Sequence, residues 1–276
     1  MVKRSPIAIF DSGYGGLTVM YELIKNFPEH DFIYFGDNAR APYGERSFEV
    51  VYKYTLQAVK KLFAFNAPLI ILACNTASAK ALRTIQQDYL PQSSDPTRRV
   101  LGVIRPSVEI AGSLTKNGYI GVMGTKGTIR SLSYPIELNK LYPGINVIQQ
   151  DCPMWVPLVE NGEHLSIGAD FFVKKNIEEL LSKSFKIDTI ILGCTHYPIL
   201  MPLIKKHLPP KVKIVSQGSV IKESLQNYLL RHPEINNRIT RTKSREFYTS
   251  ENCETFNSAA SLFLKQRVNA KQIIVE

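Results

Sequence analysis

Short β-rich apolar runs alternate with stretches of helical periodicity along most of the chain, and this alternation leaves few folds open. The runs stand at 6–10 (PIAIF), 31–35 (DFIYF), 69–73 (LIILA), 99–104 (RVLGVI), 119–124 (YIGVMG), 146–150 (NVIQQ), 189–193 (TIILG) and 213–216 (KIVS). Between them, 17–26, 47–65 and 169–182 carry helical spacing; Leu56, Val59 and Phe63 share one helical face, with Lys60 the polar exception. Strands that are apolar throughout and separated by helices pair in parallel and are covered on both faces. An α/β fold with mainly parallel sheets is therefore expected, with ligands at the carboxyl ends of the strands. Asp11-Ser12, Cys74, Thr125 and Cys194 stand at those ends.

At 276 residues the chain is long enough for two domains of ordinary size. Two breaks, 90–99 (LPQSSDPTRR) and 208–211 (LPPK), interrupt the pattern. The C-terminal piece is short for a separate α/β domain, so it is expected to return to the first. The expected division is 1–97 with 211–276 as one α/β domain carrying Cys74, and 98–210 as a second carrying Cys194. The order of features also repeats. IAIFDSG (7–13) faces IGVMGTK (120–126), 26 residues separate Asp11 from Asp37 and also Thr125 from Asp151, and ILACNTASA (71–79) is echoed by ILGCTHYPIL (191–200). Two pseudo-symmetric α/β domains, with the active site in the cleft between them, are what such a repeat predicts.

Composition narrows the class. Hydrophobic content of 44% and charged content of 21% suit a globular protein with a real core. No apolar run reaches the roughly 18 residues of a membrane span, and the run 7–10 is too short for a signal-peptide core. A cytoplasmic protein without membrane contact is expected. Four cysteines with no CxxC pair are then expected to be reduced. The net charge of +10 raises the question of nucleic acid. Yet the cations are scattered over Lys3-Arg4, Arg98-Arg99, Lys205-Lys206 and the segment 231–245, without zinc-finger or RNP spacing. A solvated face, or a field suited to a small acidic substrate, accounts for them without a nucleic-acid partner.

Cys74 and Cys194 project from equivalent strand ends into one shared cleft if the two halves face each other. Three chemistries fit two such thiols. A catalytic disulfide ordinarily uses a local CxxC. Zinc needs four ligands, and only His196 stands near either cysteine in sequence. Two acid/base groups on opposite faces of one substrate, one removing a proton and the other delivering one, would invert a stereocentre. Only this third chemistry uses the symmetry. Helix N-termini following the two strands are expected to favour the thiolates, lowering a pKa of about 8.5 by a unit or more. His196 could relay the proton of Cys194, or serve as an ordinary structural group. Asp11 could orient Cys74, or cap the helix from Leu17. Glu160 stands between apolar residues and a turn. DSGYGGLTV (11–19) is Gly-rich but matches neither phosphate-binding pattern. Its small residues suit the approach of backbone N–H groups to a carboxylate, as do GTKGT (124–128) and ACNTAS.

AIFDSGYGGLTV, YFGDNARAPYGER, ILACNTASA, GVMGTKGTIRS, PMWVPLVENGE and ILGCTHYPIL, in this order from 7 to 200, together resemble glutamate racemase of the aspartate/glutamate racemase superfamily. FYTSENCETFNSAASLFL (247–264) looks like that family's closing segment. The resemblance implies a cofactor-independent enzyme, without metal, that interconverts L- and D-glutamate and supplies D-glutamate for peptidoglycan. It implies Cys74 and Cys194 as the two bases, Asp11 assisting the first, and Glu160 and His196 assisting the second. Asp11, Ser12, Tyr43, Gly44, Asn75, Thr76, Thr195 and His196 match substrate-binding positions, and Thr125 and Thr128 join them. A homodimer and a cell-wall-precursor effector are implied as partners. Arg105 departs from the pattern and is given no role. A racemase of aspartate or another amino acid is the nearest alternative; a dithiol redox protein and a nucleic-acid binder using 231–245 are more distant ones.

Overall fold

The structure is a computed structural model that describes residues 4–264 and 266–275. Lys3 and the first residues of the expected 1–97 span lie outside the described residues. Among the described residues the strands are β1 (Ile7–Asp11), β2 (Phe32–Gly36), β3 (Leu69–Leu72), β4 (Arg99–Gly102), β5 (Tyr119–Gly124), β6 (Asn146–Asp151), β7 (Thr189–Gly193), β8 (Lys213–Val215), β9 (Arg245–Thr249) and β10 (Ala270–Gln272). They form one sheet in the order β10-β9-β2-β1-β3-β4 and another in the order β6-β5-β7-β8. Every pairing is parallel.

The two sheets repeat one topology. In the first, the chain leaves β1 for β2 on one side and then crosses to β3 and β4 on the other. In the second, β5, β6, β7 and β8 follow the same path. Each sheet thus has one switch point, between β1 and β3 and between β5 and β7, where a crevice opens beyond the strand ends. Asp11 and Cys74 flank one, Thr125 and Cys194 the other.

Continuous apolarity in the strands follows from burial on both faces. Along β1, Ile7 and Ile9 point into a core that also holds Met123, Ile190 and Leu192 from the other sheet and Trp155 from the helix Trp155–Glu160. Ala8 and Phe10 point the opposite way, into a core with Val51, Val59, Leu62 and Ile70. A third core, Ile104, Val108, Ile120, Val122, Tyr134 and Ile191, covers the outer face of the second sheet. The core shared by both sheets is what holds the two switch points against each other. Helices form where the periodicity places them: Leu17–Asn26, Phe48–Ala64 with Ser47 accepting from Val50 N at 3.3 Å, and Ile167–Lys183 with Ser166 accepting from Ala169 N at 3.1 Å. No helix among the described residues is long and apolar enough to cross a membrane.

The expected cuts at 97/98 and 210/211 miss where the chain changes sheets. Arg99–Gly102 pairs with β3, so the first sheet keeps one strand beyond the first break. Lys213–Val215 pairs with β7, so the second sheet keeps one strand beyond the second break. Both crossings are made by helices instead of the polar loops: Ile104–Leu114 carries the chain into the third core, and Gln217–Arg231 carries it back against Leu17–Asn26. The returning chain adds β9 beside β2 and β10 beside β9.

Its basic segment is largely tied down. Arg238 reaches Asp95 Oδ2 at 2.6 Å and Thr97 Oγ1 at 2.7 Å, Lys243 pairs with Glu29 at 3.2 Å, and Arg245 donates to the carbonyls of Pro28 and His30. Asp31, itself buried, accepts from Thr240, Thr242 and Ser244. These cations fasten the return of the chain to the first sheet.

Candidate active site

Asp11 is the last residue of β1 and is buried. Its Oδ1 accepts from Gly13 N at 2.9 Å, and its Oδ2 accepts from Thr195 Oγ1 at 3.2 Å, a contact from the first half to the second. Burial raises its pKa, while His196, Gly13 and Thr195 pull it back down. Two glycines make this closeness possible. A Cβ on Gly16 would lie 2.6 Å from Asp11 Cβ, and one on Gly15 would lie 2.3 Å from Thr195 Oγ1 and 2.6 Å from His196 Nδ1. The Gly-rich turn therefore lets the first half seat against the strand end that carries the second cysteine.

Cys74 caps the helix Asn75–Lys80, its sulfur accepting from Ala77 N at 3.4 Å. Ser12 Oγ lies 3.4 Å from the same sulfur. The expected lowering of its pKa by the helix is not what the structure supports. Burial and the nearby Asp11 carboxyl push the Cys74 thiol up to about 12, outweighing the bonds from Ser12 and Ala77. A helix of six residues supplies too little field to offset a fully desolvated sulfur. Asp11 hydrogen-bonds Gly13 and Thr195, and Ser12 is the side chain on the sulfur. Cys74 is thereby held as a thiol.

Cys194 follows β7 in a turn and is buried and unbridged, as is Cys74. No α-helix begins directly behind it. A single 3-10 turn, Tyr197–Leu200, intervenes before the helix Met201–His207. Its partner is a side chain instead. His196 Nδ1 lies 3.7 Å from the Cys194 sulfur, and His196 Nε2 lies 2.9 Å from Glu160 Oε1. Burial alone would lower the His196 pKa, but the bonds to Cys194 and Glu160 raise it well above the usual histidine value. The ring lies between a sulfur and a carboxyl group, and both contacts favour its protonated form. Glu160 reaches it from the end of the short helix Trp155–Glu160.

Hydroxyls join the halves on the other side of the crevice. Thr76 Oγ1 lies 3.0 Å from Thr125 Oγ1 and 3.3 Å from Thr128 Oγ1, and the last two are 3.1 Å apart. Beside them Gly127 N donates to Gly44 O at 2.8 Å, docking one Gly-containing turn on the other. Tyr43 is brought to the same place, but its hydroxyl is turned away and donates to buried Asp37. Asn75 is likewise committed: its side chain bonds Gln217 and Tyr134. Tyr134 and Gln217 escaped notice in the sequence because they stand 59 and 142 residues from Asn75. Thr18, whose hydroxyl lies 3.1 Å from Thr195 O, escaped notice as an ordinary helix residue. Arg105 takes no part in these contacts. It lines a separate cavity of about 720 Å³ and pairs with Glu109 at 3.0 Å and Glu137 at 3.6 Å.

Two thiols, each with its own partners, the hydrogen-bonded His196–Glu160 pair and a set of hydroxyls thus converge from two equivalent switch points. Such a set can move protons to and from a small polar substrate. Among the described residues no group of three or more His, Cys, Asp or Glu side chains is arranged to hold a metal ion.

Comparison with known proteins gives a consistent result. Residues 19–222 match the Asp/Glu/Hydantoin racemase family. A glutamate racemase of Streptococcus pyogenes serotype M4 is 37% identical over 270 residues, covering 97% of this chain and 98% of the relative. The crystal structure of glutamate racemase isoform RacE1 from Bacillus anthracis superposes with a TM-score of 0.89 at 35% identity, covering 99% of this chain and 98% of that one. Glutamate racemase from Francisella tularensis in complex with D-glutamate gives 0.86 at 32% identity, covering 100% and 98%.

Proposed function

The chain belongs to the Asp/Glu/Hydantoin racemase family and is an isomerase, and on that premise we propose that it interconverts L- and D-glutamate by proton transfer between two thiols. The observation that carries the reading is the equivalence of Cys74 and Cys194: each follows the third strand of its own repeat, at a switch point, buried and unbridged. The substrate class comes from the glutamate racemases it resembles and from the D-glutamate bound by one of them. Supply of D-glutamate to peptidoglycan, a homodimer and a cell-wall-precursor effector belong to the same proposal and rest on resemblance to that family.

In the reaction one sulfur, as thiolate, takes the Cα proton. The Cα–H electron pair moves into the α-carboxylate, and the other sulfur, as thiol, gives its proton to the opposite face of Cα. Cys74, held as a thiol by burial and Asp11, is set to give a proton. Cys194, with His196 Nδ1 at 3.7 Å from its sulfur, is placed to take one. In the reverse direction the roles exchange. The Cα proton is weakly acidic, so the developing charge needs donors already in place. The Thr76, Thr125 and Thr128 hydroxyls and the N-terminus of Asn75–Lys80 are such donors, placed where water is largely excluded.

The test is a polarimetric assay of the purified enzyme with L-glutamate, D-glutamate and L-aspartate. Glutamate should be racemised from either hand, aspartate much more slowly, and Cys74→Ala or Cys194→Ala should lower kcat by roughly 10²–10⁴, the range of a lost acid or base. Undiminished racemisation by either variant contradicts the two-thiol reading; faster turnover of aspartate contradicts the substrate.

A further inference from the structure

We propose that Tyr134 and Gln217 are positioning residues that hold the two thiols in register across the cleft; the proposal rests on the two-thiol reading above. Tyr134 touches both cysteine-bearing strand ends. Its ring lies against Gly193, the residue before Cys194, where a Cβ would come within 3.1 Å of Tyr134 Cε2. Its hydroxyl donates at 2.7 Å to Oδ1 of Asn75, the residue after Cys74. Gln217 closes the arrangement. Its Nε2 donates to the same Asn75 Oδ1 at 2.5 Å and lies 3.3 Å from the Tyr134 hydroxyl, while Asn75 Nδ2 donates back to Gln217 Oε1 at 2.8 Å.

The three side chains come from three separate segments. Asn75 opens the helix behind β3, Tyr134 lies in the helix Ser133–Leu141 over the second sheet, and Gln217 is the first residue of the returning helix. They are 3%, 0% and 2% exposed, so water is not at hand to replace a lost bond. Burial raises the Tyr134 pKa, against opposing hydrogen bonds from Gln217 and Ser107, so the hydroxyl remains a donor. Apolar side chains would fill this space as well. What the polar set adds is direction: both lone pairs of Asn75 Oδ1 are taken, which fixes the amide's orientation and with it the start of the helix that Cys74 caps. A thiol acting on one face of Cα and a thiol acting on the other must be in place at the same moment. The Tyr134 bridge fixes one against the other.

The experiment follows the Cα of glutamate in D2O and counts deuterium gained with inversion and deuterium gained without it, starting from each hand. When the second thiol is in register, the carbanion is quenched from the far face. When it drifts, the carbanion waits, the first thiol exchanges the proton it took for a deuteron of D2O, and it returns that deuteron to the near face. Tyr134→Phe, which keeps the ring on Gly193, should raise the ratio of exchange without inversion to exchange with inversion about tenfold, as displacement of a positioned group by a fraction of an ångström would. Gln217→Met tests the same clamp without altering the tyrosine. The ratio is counted per reaction event, so a reduced folded fraction does not change it. A raised ratio in either variant supports the bridge. A wild-type ratio in both overturns it, while the two-thiol reading survives. Wild-type turnover that persists in Cys74→Ala or Cys194→Ala overturns both.

Discussion

His196 shows how far a single residue depends on its neighbours. Its raised pKa comes from Cys194 and Glu160 acting against burial. A histidine whose pKa is raised keeps its proton to higher pH and loses it only as pH climbs through the raised value. Glu160→Gln removes the carboxyl partner that raises it, so that loss should come at lower pH. The check is the NMR titration of the His196 ring in the wild type and the variant. A midpoint shifted down by about a unit, the scale of one lost charged hydrogen bond, is expected; an unchanged midpoint would mean that the carboxylate does not hold the proton there. At this scale the sequence was legible where a residue's meaning is local. Cys74, Cys194 and the small residues around Asp11 stand out because a strand ends there. Partners set by tertiary approach were not legible. That Asp11 meets Thr195, that Tyr43 turns to Asp37 and that Cys74 is raised instead of lowered all follow from which side chains burial brings together.

Among the elements, the turn between β1 and the helix Leu17–Asn26 is the most constrained. Gly16 has helical backbone angles, φ −61° and ψ −15°, that alanine adopts freely, so conformation alone would favour Gly16→Ala. Contact decides the other way, because the new Cβ would meet Asp11 Cβ at 2.6 Å and Ala73 Cβ at 3.1 Å. The variant should lose about 1–3 kcal/mol in urea unfolding, the usual cost of overpacking, and most of its activity with it. Ser166→Ala, which removes the cap of Ile167–Lys183 away from the crevice, should lose about 1 kcal/mol and keep its activity. A Gly16→Ala enzyme of full activity, or a Ser166→Ala enzyme without any, would contradict this division of roles. Most of the strands β1 to β8 were readable as short apolar runs alternating with helical spacing. β9 was not, since it opens on Arg245 and Glu246 directly behind a basic segment, and β10 is only three residues of mixed polarity.

At the scale of the whole molecule, the repeat in the sequence and the repeat in the topology are the same fact. β2-β1-β3-β4 and β6-β5-β7-β8 put two switch points opposite each other over one shared core, and each contributes one thiol. The sheet changes could not be placed to the residue, because the chain crosses on helices that look like any others. The +10 charge, which left nucleic acid open as a partner, is in part absorbed in ties such as Arg238 to Asp95 and Arg245 to Pro28. Opposed thiols supplied by two halves make one demand of the reaction: the proton that leaves Cα is not the proton that returns to it. The direct measurement is therefore racemisation of unlabelled L-glutamate in D2O, stopped within the first few per cent of turnover, with the two enantiomers separated and their Cα deuterium determined. Two opposed thiols require D-glutamate that is essentially fully deuterated and remaining L-glutamate that is largely protiated, with the mirror result from D-glutamate. Product that retains the original hydrogen would mean that a single group carries the proton from face to face, and would contradict the account.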